Sequence, residues 1–476
     1  MSIFRNHLPI MGASGQSTGE HEIEHSARFF DGDSASLLRT FGTPTDQKKW
    51  TISAWTKIAA YTTESGSSSV FIDAGTTAGS DALAAMGSSY AGYENIYFWD
   101  RTSSSYNYRL ESNHKFKDPA AWYHCVFIYD SAQAVPAHRA KIFVNGLRIT
   151  DFAHEDYPSL NYNGRLNTAS QAHGIMKQVY SSSPAYRDGM LAEHHFMDGY
   201  IYGPEYFGKF DDNNNWIPIK VTGVSYGNNG YYFPFSNSSN FGEDFSGNDN
   251  DWTSNGLAAH DQLTDTPSNN FARYNSIGTS DDRGQTTQAN IKNGNLQFNS
   301  GGPAYIIGLT IDNIMLDGGK WYFEIVLKTS SGFNTTIGFR NADNGDDTPS
   351  VEFESDGQIK KDGSNVGSAT GGFSDGDIIG IRLDWSNTAS RKISFYKNNS
   401  LITGQQTFSD SSSIAGFQFI SRESGSGAVH HLNTGQNGTF NGNKTAQGNS
   451  DGNGIGDFYY SVPADHLAIC SRNLFG

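Results

Sequence analysis

In residues 320–329, KWYFEIVLKT, apolar side chains fall at every second position, which puts Trp321, Phe323, Ile325 and Leu327 on one face. A period of two is the mark of a β-strand, since successive strand residues point to opposite sides of a sheet. The pattern recurs along the chain. In WTISAWTKI (50–58), Ile52, Ala54 and Thr56 alternate with Thr51, Ser53 and Trp55. SARFF (26–30), SSVFIDAG (68–75), NIYFWDR (95–101), WYHCVFIYD (122–130), KIFVNGLRI (141–149) and GMLAEHHFMDG (189–199) are further strand-like runs. Asn145-Gly146 sits between two apolar stretches, the sequence mark of a tight type I′ hairpin. A second series comprises NGNLQF (293–298), TTIGFR (335–340), DIIGIRLDW (377–385), KISFYKN (392–398), GFQFISR (416–422) and AVHHLN (428–433), and DHLAICSRNL (465–474) reads as a closing strand.

Between the runs lie Gly, Asn, Asp and Ser, each suited to tight turns. Gly alone accounts for 53 of 476 residues, while 31 Phe, 24 Tyr and 8 Trp supply cores. Long stretches rich in Ala, Leu, Glu and Lys are missing, so little helix is expected. The expected class is all-β, with two β-sandwich domains, because single cores stop growing well below this length. The expected organisation is an N-terminal arm (1–24), a first sandwich (25–235), an irregular Asn/Asp/Gly-rich connector (236–290) and a second sandwich (291–476). Within the polar stretch, only GYYFPF (230–235) looks like a strand.

The formal net charge is −16. Such a surface repels phosphate backbones and anionic lipid headgroups, so no nucleic-acid partner and no membrane docking by charge are expected. No run approaches the ~20 apolar residues of a membrane span, and the first residues carry no signal-peptide core. Two distant cysteines, Cys125 and Cys470, make no disulfide framework and no zinc pattern.

The strands WTISAWTKI, WYHCVFIYD, the KIFVNG hairpin and LAEHHFMDG resemble a LamG, or concanavalin A-like, domain. GGKWYFEI, the IGF strand, GDIIGIRLDW, ISFYKNN and HLNTGQ resemble a SPRY domain, and the two resemblances together imply that both sandwiches are of jelly-roll type. Across the whole chain, SARFFDGDSASLLRT, FGKFDDNNNWIPIKVTG, YGNNGYYFPFSNSS, DFSGNDNDWT, DQLTDTPSNN and AQGNSDGNGIGDFYYSVPADHLAICSRNL are similar to a family of phage and prophage virion or tail-fibre proteins. That resemblance implies a virion protein assembled in the host cytoplasm, adhering to a host-surface glycan or protein. A capsid decoration or head-fibre protein is the alternative reading.

Candidate sites are few. There is no G-x-S-x-G elbow and no H-E-x-x-H pair. His194-His195 and His430-His431 are neighbours on strands, so each pair should split between two faces, one ring packed and one solvated. Glu352 and Glu354 share a strand face, a spacing compatible with paired acids, though a solvated face explains them and a depolymerase is not favoured. No enzyme activity and no cofactor are expected. The loops DDNNN (211–215), GNDNDW (247–252), NADNGDD (341–347) and NSDGNG (449–454) offer oxygens of the kind calcium prefers, with Asp343, Asp346 and Asp347 the metal candidates. Turn chemistry is the competing and favoured explanation. In NIYFWDR, alternation sends Tyr97, Trp99 and Arg101 outward, followed by Tyr106, Tyr108 and Arg109 on a partner strand. This is a candidate surface for a subunit or a glycan. Such an apolar outer face suggests a homo-oligomer, with a trimer the expected form. Ile3, Phe4, Leu8, Ile10 and Met11 form an apolar cluster without a strand pattern, expected to anchor the arm to other virion proteins.

Overall fold

A computed structural model describes residues 21–59, 68–77, 80–87, 95–179, 186–276, 290–301, 304–307, 309–310, 318–328, 335–341, 349–367, 371–387, 390–402, 406–407, 417–423 and 425–474. The fold is all-β, and the chain divides into two compact units that meet in sequence at Asn269 and Asn270.

The first unit pairs two large antiparallel sheets. One runs in the spatial order Leu147–Arg148, Ala140–Val144, Tyr123–Asp130, Lys49–Ile58, Gly189–Asp198, Ser26–Phe29 and Gln262–Leu263, with Tyr231–Phe233 also paired to Gly189–Asp198. The other runs Phe152–Asp156, Ser105–Ser112, Ile96–Thr102, Ser80–Gly87, Ser68–Thr77, Ala172–Ile175, Ser36–Thr40 and Thr253–Asn255. Between them lies one core. Phe29, Ile52, Phe127, Tyr129, Leu191 and Phe196 of the first sheet meet Leu37, Phe71, Ile72, Phe98, Tyr108 and Leu110 of the second. The hairpin at Asn145-Gly146 has the positive φ angles a type I′ turn requires, +47° and +77°. A Cβ on Gly146 would sit 2.3 Å from the Trp216 ring, so the turn needs glycine for space as well as for φ.

The strand Lys49–Ile58 is buried along both faces from Trp50 onward. Its second face is covered because Phe207, Tyr202, Val221, Val224 and Tyr226 pack against Val126, Ile128 and Met197 of the same sheet. Residues expected to act as connector also join this unit. Thr253–Asn255 and Gln262–Leu263 are strands of the two sheets, and Phe241 and Trp252 enter the core. The segment is tied down by charge as well. Arg28 meets Asp261 at 2.6 Å, and Lys57 meets Asp265 at 2.6 Å, in both cases under cover. Residues 236–269 are thus part of the first sandwich. Their polar composition reads as loop because a few apolar and acidic anchors do the holding.

The second unit also has two sheets. One runs Asn290–Lys292, Gln297–Gly301, Ser426–Asn433, Lys320–Lys328, Ile378–Asp384, Lys392–Lys397 and Ser400–Leu401, and the other Ala304–Ile307, Phe417–Glu423, Thr335–Asn341, Ser350–Glu354, Ile359–Lys361 and Ser364–Val366. Phe323 of the first sheet packs edge-on against Phe339 and Phe419 of the second, with ring centroids 6.3 and 5.6 Å apart. The reverse face of Lys320–Lys328 is covered by the end of the chain. Tyr322 packs with Phe458, Ala468 and Cys470, and Val326 with Phe440, Tyr459 and Tyr460. Glu324 faces this covering segment. Its carboxylate accepts the backbone N–H groups of Tyr459 and Tyr460 at 2.9 and 2.8 Å, with Tyr322 and Asn433 as further donors. The expected closing strand is only Leu467–Ala468, paired in parallel with Trp321–Tyr322, and Ser471–Leu474 is a helical turn.

Candidate functional site

The strands Ile96–Thr102 and Ser105–Ser112 form a hairpin in the second sheet of the first unit. Tyr97 pairs with Glu111, Trp99 with Arg109 and Asp100 with Tyr108; the register then shifts, so that Arg101 faces Tyr106. This bulge alters which residues face outward. Tyr108, expected outside, lies opposite Asp100 on the core side and is 1% exposed. Its ring packs edge-on against Phe98, 5.1 Å between centroids. Strict alternation fails because the bulge leaves Asn107 as an extra residue, as β-bulges do.

Tyr97, Trp99, Arg101, Tyr106 and Arg109 do come together on the outer face, as an interlocked ladder. Trp99 is only 9% exposed and packs against Val70, Leu83, Ala85 and Tyr97. The Arg101 guanidinium lies 4.7 Å from the Trp99 ring centroid, and that of Arg109 lies 4.8 Å from Tyr106. Trp99 and Tyr106 meet edge-on at 5.9 Å. Each arginine also has a carboxylate: Arg101 forks onto buried Asp81 at 2.6 and 3.2 Å, and Arg109 reaches Glu111 at 2.6 Å. Such pairing fixes the guanidinium planes and cancels their charge. Tyr106, 42% exposed, is the ring that stands clear of the ladder.

The turn closing this hairpin is strained. Ser103 and Ser104 both have positive φ, +49° and +68°, where glycine or asparagine is the usual occupant. Arg165 braces the turn from the side, donating to Arg101 O at 3.0 Å and to Thr102 Oγ1 at 2.7 Å. Behind it, Asp100 accepts from Arg165 N, Tyr162 and Asn107. Burial nevertheless raises its pKa from the ordinary carboxylate value.

Two polar clusters lie elsewhere, each built around one of the adjacent histidine pairs; their acidic and hydroxyl partners were not singled out by the residue pattern. On the covered outer face of the first sheet, both oxygens of Glu193 accept from Tyr232 OH, at 2.8 and 2.9 Å, and His21 and His195 stand 3.7 Å away. Burial opposes ionisation of Glu193, but the polar contacts of His195, His21 and Tyr232 outweigh it and bring the carboxyl down to about 2. In the second unit, Ser421 lies 2.9 Å from His430 Nδ1, and His430 Nε2 lies 2.6 Å from Glu423. The order of groups is that of a nucleophile, base and acid, yet Ser421 and His430 have no solvent exposure. Both histidines of each adjacent pair are buried. His195 stacks on Tyr232 and His431 contacts Asn441, where one solvated ring per pair was expected.

Glu352 and Glu354 share a face as expected, and Arg422 lies 3.8 Å from each. In three of the four oxygen-rich loops one aspartate accepts from backbone N–H groups of its own chain. Asp211 accepts from Asn213 N and Asn215 N, Asp251 from Asp244 N, and Asp451 from Asn453 N, Ile455 N and Ala468 N. The bonds of Asp211, and those of Asp451 to Asn453 and Ile455, are turn chemistry; the other two tie the loop to a more distant segment. Asp343, Asp346 and Asp347 lie outside the described residues, as do Ile3, Phe4, Leu8, Ile10 and Met11. Among the described residues, no group of three or more His, Cys, Asp or Glu side chains is placed to hold a metal ion, and no helix is long and apolar enough to cross a membrane. Cys125 and Cys470 are both free and buried.

Residues 30–195 match the family model of the concanavalin A-like lectin/glucanases superfamily. The match spans most strands of the first sandwich, including the ladder hairpin. No curated protein sequence matches the chain. Among solved structures, the SPRY domain of human HERC1 is 17% identical, covering 29% of this chain and 87% of that one, with a TM-score of 0.23. Tailspike protein 2 of an Escherichia coli O157:H7 bacteriophage, CAB120, is 12% identical with a TM-score of 0.25, covering 36% of this chain and 22% of the tailspike. The botulinum neurotoxin serotype C1 binding domain is 12% identical, covering 80% of this chain and 79% of that one, with a TM-score of 0.23. Likenesses at this level do not bear on function.

Proposed function

We propose that the protein is a non-enzymatic adhesion component of a bacteriophage virion, and that its concanavalin A-like sandwich contacts a host-surface glycan or protein through the ladder hairpin. The observation that carries this reading is Tyr106. It is a large exposed ring, backed by Trp99 and Arg109, beside a strained turn. Rigid aromatic and arginine side chains set on a sheet supply contact area at small entropic cost. The faces of Trp99 and Tyr106 nearest Arg101 and Arg109 are already occupied by guanidinium groups. Contact therefore falls to the free side of Tyr106 and to the rim formed by Arg109 and Glu111.

The same reading assigns virion attachment to the N-terminal arm through Ile3, Phe4, Leu8, Ile10 and Met11, and display to a homo-oligomer whose linked weak sites act together. The test is binding of the purified protein to host cells and to a glycan array, comparing wild type with Tyr106→Ala and Arg109→Ala. Loss of binding in both variants, with unchanged far-ultraviolet circular dichroism, is expected. Equal binding by wild type and both variants would remove the hairpin from the contact surface.

A further inference from the structure

The contact between Lys57 and Asp265 has the geometry of a reaction as well as of an ion pair. Both side chains are 0% exposed, and Lys57 Nζ lies 2.6 Å from Asp265 Oδ2. Nζ is therefore no farther than about 3.8 Å from Cγ, because the C–O bond adds only ~1.2 Å. Asp265 Oδ1 accepts the indole N–H of Trp122 at 3.0 Å, so the two oxygens have different partners. The backbone on the acid side is pinned, since Ser26 donates to the carbonyl of Asp265 at 2.7 Å. On the amine side, Lys57 belongs to the long central strand Lys49–Ile58, and the Trp122 ring lies 6.0 Å from its Nζ. Neither group can drift far from the other.

The reaction needs the two groups in their neutral forms, which a proton transfer across the 2.6 Å contact supplies as an amine and a carboxylic acid. That neutral pair is able to condense. Exclusion of water also favours a step that releases water.

We propose that Lys57 and Asp265 join in an intramolecular isopeptide bond. The lone pair of the neutral Nζ attacks Cγ, and the carbonyl electron pair moves onto Oδ1, where the Trp122 N–H stabilises the oxyanion. A proton passes from nitrogen to the hydroxyl at Oδ2. That oxygen leaves as water, and the Oδ1 carbonyl re-forms. One C–N bond forms, one C–O bond breaks, and no oxidant, reductant or further reactant takes part. Trp122 is the catalytic residue in this step. The product ties the central strand to the tail of the first sandwich across 208 residues of sequence, in a chain whose two cysteines are free. Closing so long a loop restricts the unfolded chain strongly, as cross-links of this kind do.

Intact-mass measurement of the denatured full-length protein tests this directly. The expected mass is lower than the sequence mass by one water. A tryptic digest should contain a branched peptide that joins the segment with Lys57 to the segment with Asp265, with no cleavage after Lys57. Lys57→Arg and Asp265→Ala chains should show their full sequence masses and only linear peptides. Should either variant fail to fold, the wild-type mass and digest remain decisive. A wild-type chain at full sequence mass that is cut after Lys57 overturns the proposal. So does a water loss carried on a linear peptide, as from succinimide formation.

Discussion

Arg28 and Asp261 lie 233 residues apart in sequence and meet at 2.6 Å with almost no solvent exposure on either side. The other Asp261 oxygen accepts the backbone N–H of Ala258 at 2.9 Å, so one carboxylate holds both a strand and the turn that follows the polar segment. Removing the acid takes away the carboxylate that two of the guanidinium nitrogens hold, and leaves Arg28 buried without it. Asp261→Ala should therefore destabilise the first sandwich by about 3–5 kcal/mol. Urea unfolding followed by tryptophan fluorescence measures this, and a loss below about 1 kcal/mol would show that the pair is dispensable.

Tyr106 and Tyr108 differ by two positions, yet the bulge places them on opposite sides of the sheet. Tyr108→Ala opens a cavity beside Phe98 and Tyr129 and should cost about 3–5 kcal/mol. Tyr106→Ala removes an exposed ring and should stay within about 1 kcal/mol of wild type. Thermal melts of the two single variants settle the facing; similar losses would mean that the register shift is wrongly placed.

The Ser103-Ser104 turn holds two non-glycine residues at positive φ. Replacement by Asn-Gly supplies residues that adopt this geometry without strain, and should raise stability by roughly 0.5–1 kcal/mol. The measurement is the denaturant midpoint of the double variant. A lower midpoint would show that the serines contribute something beyond the turn.

Acid and base should act on the two units in opposite directions. In the first, His124, His173 and His194 are pushed down to about 3, with burial the leading cause. The unfolded chain protonates these rings near 6.5, so the folded unit carries fewer protons between those values. Its stability is full above 6.5 and is lost as pH falls toward 3. Burial pushes Glu324 of the second unit the other way, from 4.5 up to about 7, despite its four hydrogen-bond donors. Here the folded state holds the extra proton. That contribution is full below 4.5 and is lost as pH rises through 7. Hydrogen exchange, corrected for intrinsic rates and read on each unit between pH 4.5 and 7.5, should show opposite slopes, and Glu324→Gln should flatten the second. Parallel slopes would contradict the assignment for whichever unit departs from its expected sign.

Much of this architecture was legible in the residue pattern. Lys49–Ile58, Tyr123–Asp130, Lys320–Lys328 and Ile378–Asp384 sit where alternation or an apolar run placed strands, because a sheet imposes a period of two wherever a face is buried. Asn145-Gly146 marked its turn for an equally local reason. Tyr108 escaped because a bulge shifts the period by one residue, and no local signal announces it. The segment 236–269 escaped because Phe241, Trp252, Asp261 and Asp265 are few among many turn formers, and their partners lie far away in sequence. Glu324 and Lys57 escaped for a related reason: a charged residue on a strand reads as solvent-facing until the chain that covers it is known.

The late arrival of those partners has a consequence for synthesis. Arg28 and Lys57 leave the ribosome long before Asp261 and Asp265, which follow them by 233 and 208 residues. At about 5–20 residues per second, the first strands wait roughly 10–45 s for their counter-charges. Until then, the two cations must stay hydrated, and the strands bearing them cannot be sealed. The last strand therefore acts as a timing device, holding the first sandwich open until nearly all of it has been made.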